Sequence, residues 1–318
     1  MAQSLPYAVS CKGGLNTNVN QFELIRTPGS ASVLENFEVD IDGGYRRING
    51  FVPFGGSNAT TPNGNNAITG LFVYADGVIA SSGTHIYFTL DGITWLQINK
   101  GSVAGGGDDY TAFTGRSAVA RTTQGECSVV LYEGDSTYGE VIITDSSSSS
   151  KPFYFKMTGT GALSNRTYFA KEITVSGSVY PKTCIIHDKH LVVAGDSNNP
   201  NTIYYSGTDD IDSFTGTGAG SIKLDDKVIG LRSFRNNLII FCKNSIYKLE
   251  NINISASIVV TPITKNVGCI ANGSIQEFSG DLVFLSPDGI RTLAGTERIG
   301  DVELGAVSRQ IQPILNNI

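Results

Sequence analysis

Four short stretches of this 318-residue chain carry side chains that could do chemistry. HDKH places His187 and His190 three residues apart inside a strand-turn-strand pattern. Two histidines at that spacing can flank a tight turn, but a metal centre needs at least one more ligand, and none is apparent nearby in sequence. GGGDD, residues 105–109, sets Asp108 and Asp109 behind flexible glycines. A calcium loop requires ligands at alternating positions and a closing bidentate acid, which this stretch lacks. The basic pair Arg46-Arg47 is too small for a phosphate-binding patch and suits ion pairing or packing within a hairpin. TLDGITW, residues 89–95, combines a hydroxyl, a carboxylate, a turn glycine and the single tryptophan of the chain.

None of these stretches makes a catalytic set. The eleven arginines are scattered, so a sialidase-type cluster with a tyrosine and an acid could form only in space. Nucleophile-elbow, P-loop and dinucleotide fingerprints are absent from the sequence. The expectation is therefore no catalytic residue, no metal and no cofactor. Five cysteines, Cys11, Cys127, Cys184, Cys242 and Cys269, are widely spaced and contain no CxxC, which predicts buried free thiols.

The elements that would position such residues are strands. Gly is abundant at 37 residues and charged residues make up only 16%, a balance that suits many short strands joined by tight turns. In LENFEVDIDGGYRRINGF, Phe37, Val39 and Ile41 alternate with Glu38 and Asp40, the period of a half-buried strand. Asp42-Gly43-Gly44 then turns the chain into a return strand from Tyr45 to Ile48.

Similar units recur. Residues 68–92, 184–208 and 228–251 each read as strand, turn, very apolar strand, turn, and a third strand opened by Ile-Tyr. The pairs are Ile86-Tyr87, Ile203-Tyr204 and Ile246-Tyr247. A fourth, degenerate copy spans 274–295 with Ile290-Arg291, and a fifth is suggested at 117–145. The middle strands VIAS, LVVAG, LIIF and LVFL are apolar throughout, which demands cover on both faces. Inner strands of a β-propeller blade meet that demand, because each blade packs between two others.

The expected fold is thus all-β, a β-propeller of about six blades at roughly 40 to 50 residues each. Its parts are an N-terminal arm at 1–33, a propeller at 34–300 and a C-terminal tail at 301–318. Residues 158–180 would supply further outer strands, and the serine run 146–150 would be a loop. In the tail, Val307, Ile311, Ile314 and Leu315 share one helical face, interrupted at Pro313. Residues 15–50 are expected to help close the circle.

Net charge is −6, which argues against a dedicated nucleic-acid binder. The N-terminus lacks the basic and long apolar regions of a signal peptide, and no apolar run approaches a membrane span. A soluble protein made in the cytoplasm is expected.

Two resemblances follow from these residues. TLDGITW resembles the Asp-box of sialidase-like propellers, one residue short, in which the acid and hydroxyls hold a hairpin and the tryptophan packs beneath. GGLNTNVNQFELIRTPGSASVLENFEVDIDGGYRRINGF resembles the N-terminal segment of tail nozzle (tail tubular) and tail hub proteins of short-tailed bacteriophages. The matching positions are Gly13, Gly14 and Leu15, then Leu34 and Asn36, then Arg46, Arg47 and Gly50. Residues 182–214, 266–295 and 298–315 are similar to the propeller body and closing segment of that family.

That resemblance implies a non-enzymatic structural protein of the virion tail, synthesised in the host cytoplasm. Copies, six by analogy, would form a ring below the portal and adaptor, contact tail fibres or tailspikes, and pass genomic DNA without sequence-specific binding. Two alternatives remain open: a glycan-binding or glycan-cleaving propeller, suggested by TLDGITW, and a monomeric scaffold that binds a partner through its loops.

Overall fold

The computed structural model describes residues 13–20, 22–40, 44–62, 66–83, 85–98, 126–133, 138–146, 150–254, 257–294 and 308–315. The GGGDD stretch, Cys11 and Val307 lie outside them, as do parts of the Asp42-Gly43-Gly44 turn and of the serine run. The chain divides into two compact units, one of residues 53–275 and one of residues 1–52 with 276–318.

The larger unit is a run of four antiparallel sheets, each four strands joined in sequence order. The first contains β5 (Ile68–Tyr74), β6 (Gly77–Ser82), β7 (His85–Thr89) and β8 (Leu96–Gln97). The second contains β9 (Cys127–Tyr132), β10 (Glu140–Asp145), β11 (Phe153–Thr158) and β12 (Thr167–Glu172). The third is β13 (Thr183–His187), β14 (His190–Ala194), β15 (Thr202–Tyr205) and β16 (Gly220–Lys223). The fourth is β17 (Val228–Phe234), β18 (Asn237–Cys242), β19 (Ile246–Glu250) and β20 (Val259–Thr264). The first strands β5, β9, β13 and β17 neighbour one another in turn, so the sheets are successive propeller blades.

The second strands of the two middle blades each feed two cores, as their apolar runs require. On β10, Val141 and Ile143 pack with Phe88 and Phe155, while Ile142 faces the next core with Leu191 and Val193. On β14, Val192 and Ala194 turn the other way and meet Leu231, Ile240 and Leu249. Successive side chains point to opposite faces of a strand, so a run without polar interruptions is the signature of a sheet covered on both sides. The Ile of each Ile-Tyr pair is buried on its third strand: Ile86 on β7, Ile203 on β15 and Ile246 on β19.

The smaller unit contains β1 (Gly14–Leu15) paired with β2 (Ser30–Ala31), and β3 (Phe37–Val39) paired with β4 (Tyr45–Arg47). Its third sheet is the meander β21 (Gln276–Phe278), β22 (Asp281–Ser286) and β23 (Gly289–Thr292). N-terminal and C-terminal segments meet in this unit: the Thr17 N–H donates to the Gln310 carbonyl at 2.8 Å.

The fold is all-β and of propeller type. Five blade-like sheets occur among the described residues, one fewer than about six. Residues 13–47 form two two-stranded sheets, and residues 158–180 supply an outer strand, β12, as expected of them, here at the edge of the second blade. The C-terminal helical segment is short: a 3₁₀ turn Arg309–Ile311 runs into one turn of α-helix, Gln312–Leu315. Its apolar face is not sealed, since Ile314 is exposed.

The opening hairpin forms, with Glu38 opposite Arg46 and an Arg46–Glu38 ion pair at 2.7 Å. Its apolar side differs from the half-buried strand expected, because Phe37 and Val39 are both exposed.

Candidate functional site

The first blade presents one face to the second blade, and its opposite face carries a groove. Phe72 and Tyr74 of β5 point into the shared core, whereas Leu71 and Val73, one residue out of phase, are 69% and 73% exposed. Beside them on the groove face lie Val78 and Ala80 of β6. The segment 53–62 crosses this face with Pro53, Phe54 and Pro62, and Trp95 stands at the rim. The result is a mainly apolar groove of about 660 Å³, inside the range of about 300–1,000 Å³ usual for ligand sites.

TLDGITW builds the rim, with its acid and hydroxyl holding the turn as the Asp-box resemblance implies and Trp95 lining the groove. The Thr89 hydroxyl accepts from the Gly92 N–H at 3.0 Å, and Asp91 Oδ1 accepts from the N–H groups of Ile93 and Thr94, both at 2.8 Å. Those N–H groups, Thr94 first, hold the Asp91 carboxyl below the usual carboxylate range. Gly92 has φ +70°, a left-handed conformation that an L side chain rarely adopts. The turn also fastens the crossing segment. Trp95 Nε1 donates to the Thr60 carbonyl at 3.1 Å, the Thr60 hydroxyl donates to the Ile93 carbonyl at 2.5 Å, and the Thr60 N–H donates to the Gly92 carbonyl at 3.0 Å.

The other candidates are structural. His187 and His190 face each other across the β13–β14 turn, and both are buried. His187 Nδ1 pairs with the Ser233 hydroxyl of the fourth blade at 2.9 Å. His190 uses Nδ1 toward the Ser206 carbonyl at 2.6 Å and Nε2 toward Asn253 Oδ1 at 2.8 Å. Among the described residues no group of three or more His, Cys, Asp or Glu side chains is placed to hold a metal ion. Three arginines are engaged in structural bonds: Arg166 with Asp76, Arg291 with Asp288, and Arg232 with the carbonyls of Asn272 and Ile275. Cys184, Cys242 and Cys269 are buried free thiols and Cys127 is half-buried. Burial pushes Cys184 up to about 11 and Cys242 up to about 12, so neither is a thiolate at neutral pH.

The groove itself was not legible in the sequence. Trp95 drew notice as a lone tryptophan, but Pro53, Phe54 and Pro62 belong to no periodic pattern. The one available signal was β5 itself, ITGLFVY, where Leu71 and Val73 alternate with Phe72 and Tyr74 so that both phases carry apolar side chains.

No family model matches the chain, and no curated protein matches it. Among solved structures, one crystal form of BBS1N in complex with ARL6DN, soaked with mercury, is 13% identical over 72% of this chain and 67% of that one, at a TM-score of 0.44. A second, soaked with lead, gives 10% identity over 72% and 64%, at 0.39. The extracellular domain of a one-component system, BT4673, from B. thetaiotaomicron gives 9% identity over 74% of this chain and 29% of that one, at 0.41. The propeller architecture rests on the strand order and register above, and what those proteins bind says nothing of this chain.

Proposed function

We propose that this chain is a structural, non-enzymatic subunit of the tail of a short-tailed phage, a nozzle or hub protein that assembles with copies of itself into a ring through which genomic DNA leaves. The supporting observation is the number of large apolar side chains exposed between residues 22 and 52 among the described residues. Phe22, Ile25, Val33, Phe51 and Val52 are 70–97% exposed, and Phe37, Val39 and Ile48 are exposed as well. Soluble monomers rarely display that much contiguous sequence of large apolar side chains, whereas subunits of permanent assemblies do. These residues lie within or beside the segment that resembles the family, whose matching positions are others, and a closed ring of identical subunits needs head-to-tail contacts. An acidic balance of −6 suits a wall that phosphates must pass without being held.

Ring formation, attachment to a portal and adaptor, and placement in the virion tail are tested together by imaging the purified protein and the virion tail by electron microscopy. Closed rings of this subunit at the tail support the reading; a monomer absent from virions rejects it. A glycan-directed propeller is the second reading, favoured by the half-buried Trp95 at the groove rim, since an indole face is a platform for sugar rings. The groove offers few polar partners for sugar hydroxyls, which ranks it second. Retention on a glycan array, lost in Trp95→Ala, would favour it.

A further inference from the structure

The β13–β14 turn ties three blades together. It has two central residues, Asp188 at φ +46° and Lys189 at φ +66°, the left-handed pair that a tight hairpin of this kind requires. On one side of it, His187 Nδ1 meets the Ser233 hydroxyl of β17 at 2.9 Å, across the seam between the third and fourth blades. On the other side, Lys189 Nζ donates to Asp209 Oδ2 at 3.0 Å. The Tyr132 hydroxyl of β9 donates to Asp209 Oδ1 at the same distance, which reaches the second blade.

One polar atom at this junction is unsatisfied. His187 Nε2 is buried and has no hydrogen-bond partner among the described residues, although buried polar atoms are almost always paired. A carboxylate faces it: Asp188 Oδ2 lies 3.8 Å away, about 1 Å beyond a charge-assisted hydrogen bond, on a side chain that is 42% exposed. From β17 the facing group is the Ser233 hydroxyl. From β14 it is His190, whose own nitrogens are engaged by the Ser206 carbonyl and Asn253. A neutral imidazole has one N–H, whereas an imidazolium has two and needs an acceptor at each nitrogen. Ser233 and Asp188 stand where those two acceptors would have to be.

We infer that His187 and Asp188 form an acid-closed latch: when the buried ring takes a proton from solvent, Nδ1–H keeps the Ser233 hydroxyl and the Asp188 carboxylate moves in to accept Nε2–H. Burial disfavours the charged ring, Asp188 opposes that effect and His190 adds to it, so closure lies on the acid side of the ordinary histidine range. Closure draws one carboxylate inward from the turn and adds one imidazolium behind it. The place where three blades meet therefore gains one positive charge per chain while the fold is kept. The latch is independent of the ring reading.

The chain has three histidines, so nitrogen-15 labelling of histidine alone gives a readable spectrum of the full-length protein. Ring nitrogen shifts are followed from pH 8 to 4.5, with circular dichroism recording the fold at each step. His187 is expected to pass from neutral ring to imidazolium in the folded protein, and its Nε2–H then to appear as a slowly exchanging signal. Asp188→Asn keeps a residue that accepts the left-handed turn. It should lower the proton affinity of His187 by about threefold, ~0.5 pH unit, and speed exchange of Nε2–H. A ring that stays neutral until the protein unfolds overturns the latch. So does a protonated ring whose Nε2–H exchanges equally fast in parent and variant.

Discussion

Arg166 and Asp76, ninety positions apart, form a two-bonded fork: Nη1 to Oδ1 at 2.6 Å and Nη2 to Oδ2 at 2.5 Å. The pair ties the outer part of the second blade to the β5–β6 turn of the first. Its two ends differ. The guanidinium is fully buried, donates through Nε to the Gly161 carbonyl at 2.9 Å and lies 5.7 Å from the Tyr138 ring, while the Asp76 side chain is half open to water. The guanidinium holds the Asp76 carboxyl below the usual range.

That asymmetry predicts unequal costs. Asp76→Ala strands a buried cation and should destabilise by about 2–3 kcal/mol. Arg166→Met fills similar space with apolar atoms and returns Asp76 to water, so it should cost about 1 kcal/mol or less. Urea titrations of the two variants decide it. Equal losses would show that the cation is better hydrated than its burial indicates.

Tyr74 stitches the same two blades from inside the core. Its hydroxyl donates to the Gly139 carbonyl at 2.9 Å and accepts from the Met157 N–H at 3.1 Å. Burial holds the phenol well above its ordinary range, so it stays neutral at any working pH. Tyr74→Phe keeps the ring contacts with Phe88 and Phe155 but leaves a buried carbonyl and a buried N–H without this partner. A loss of about 1–3 kcal/mol is expected, measured by chemical denaturation, with Tyr74→Leu losing more because the rings go too.

These cross-blade ties explain what the sequence could and could not disclose. Blade cores were readable, because LVVAG and LIIF have no polar phase and only a sheet buried on both sides asks for that. The hairpin ion pair of Arg46 was readable from its turn. Arg166 and Asp76 were not, since a pair formed between loops of different blades leaves no period in the chain. The expected count of about six blades stands close to the five blade-like sheets among the described residues, and the difference has a related source: a pattern of alternation identifies a strand but not the number of strands that join it. Phe37 and Val39 show the same limit, because alternation announces an apolar face without naming what covers it.

The β7–β8 turn yields a prediction about the groove. A Cβ at Gly92 would come within 2.4 Å of the Phe54 carbonyl oxygen, at a φ of +70° that already disfavours a side chain. Gly92→Ala should therefore cost about 2 kcal/mol and loosen the 53–62 segment from the turn. Amide exchange at Thr60, whose N–H is bonded to the Gly92 carbonyl, reports the loosening directly. Unchanged protection at Thr60 would mean the segment is held by its proline and phenylalanine packing alone.

His187 gives the molecule a pH dependence with a definite sign. The ring is buried at 3% exposure, and burial lowers its pKa below the ordinary 6.5, against an opposing pull from Asp188 and with a further lowering from His190. As pH falls through about 6.5 the unfolded chain takes up a proton that the folded chain resists. Stability from this group is thus complete above that value and is lost progressively as pH falls toward the folded pKa. Asp76, Asp91, Asp209 and Asp288 have lowered pKa values and act in a lower window, losing stability as pH falls below about 4. Melts at pH 8, 7, 6 and 5.5 therefore isolate the histidine. His187→Gln, which can keep a hydrogen bond to Ser233, should melt lower than the parent at pH 8 and show a shallower fall between pH 7 and 5.5. A parallel fall in parent and variant would assign the slope to groups other than His187.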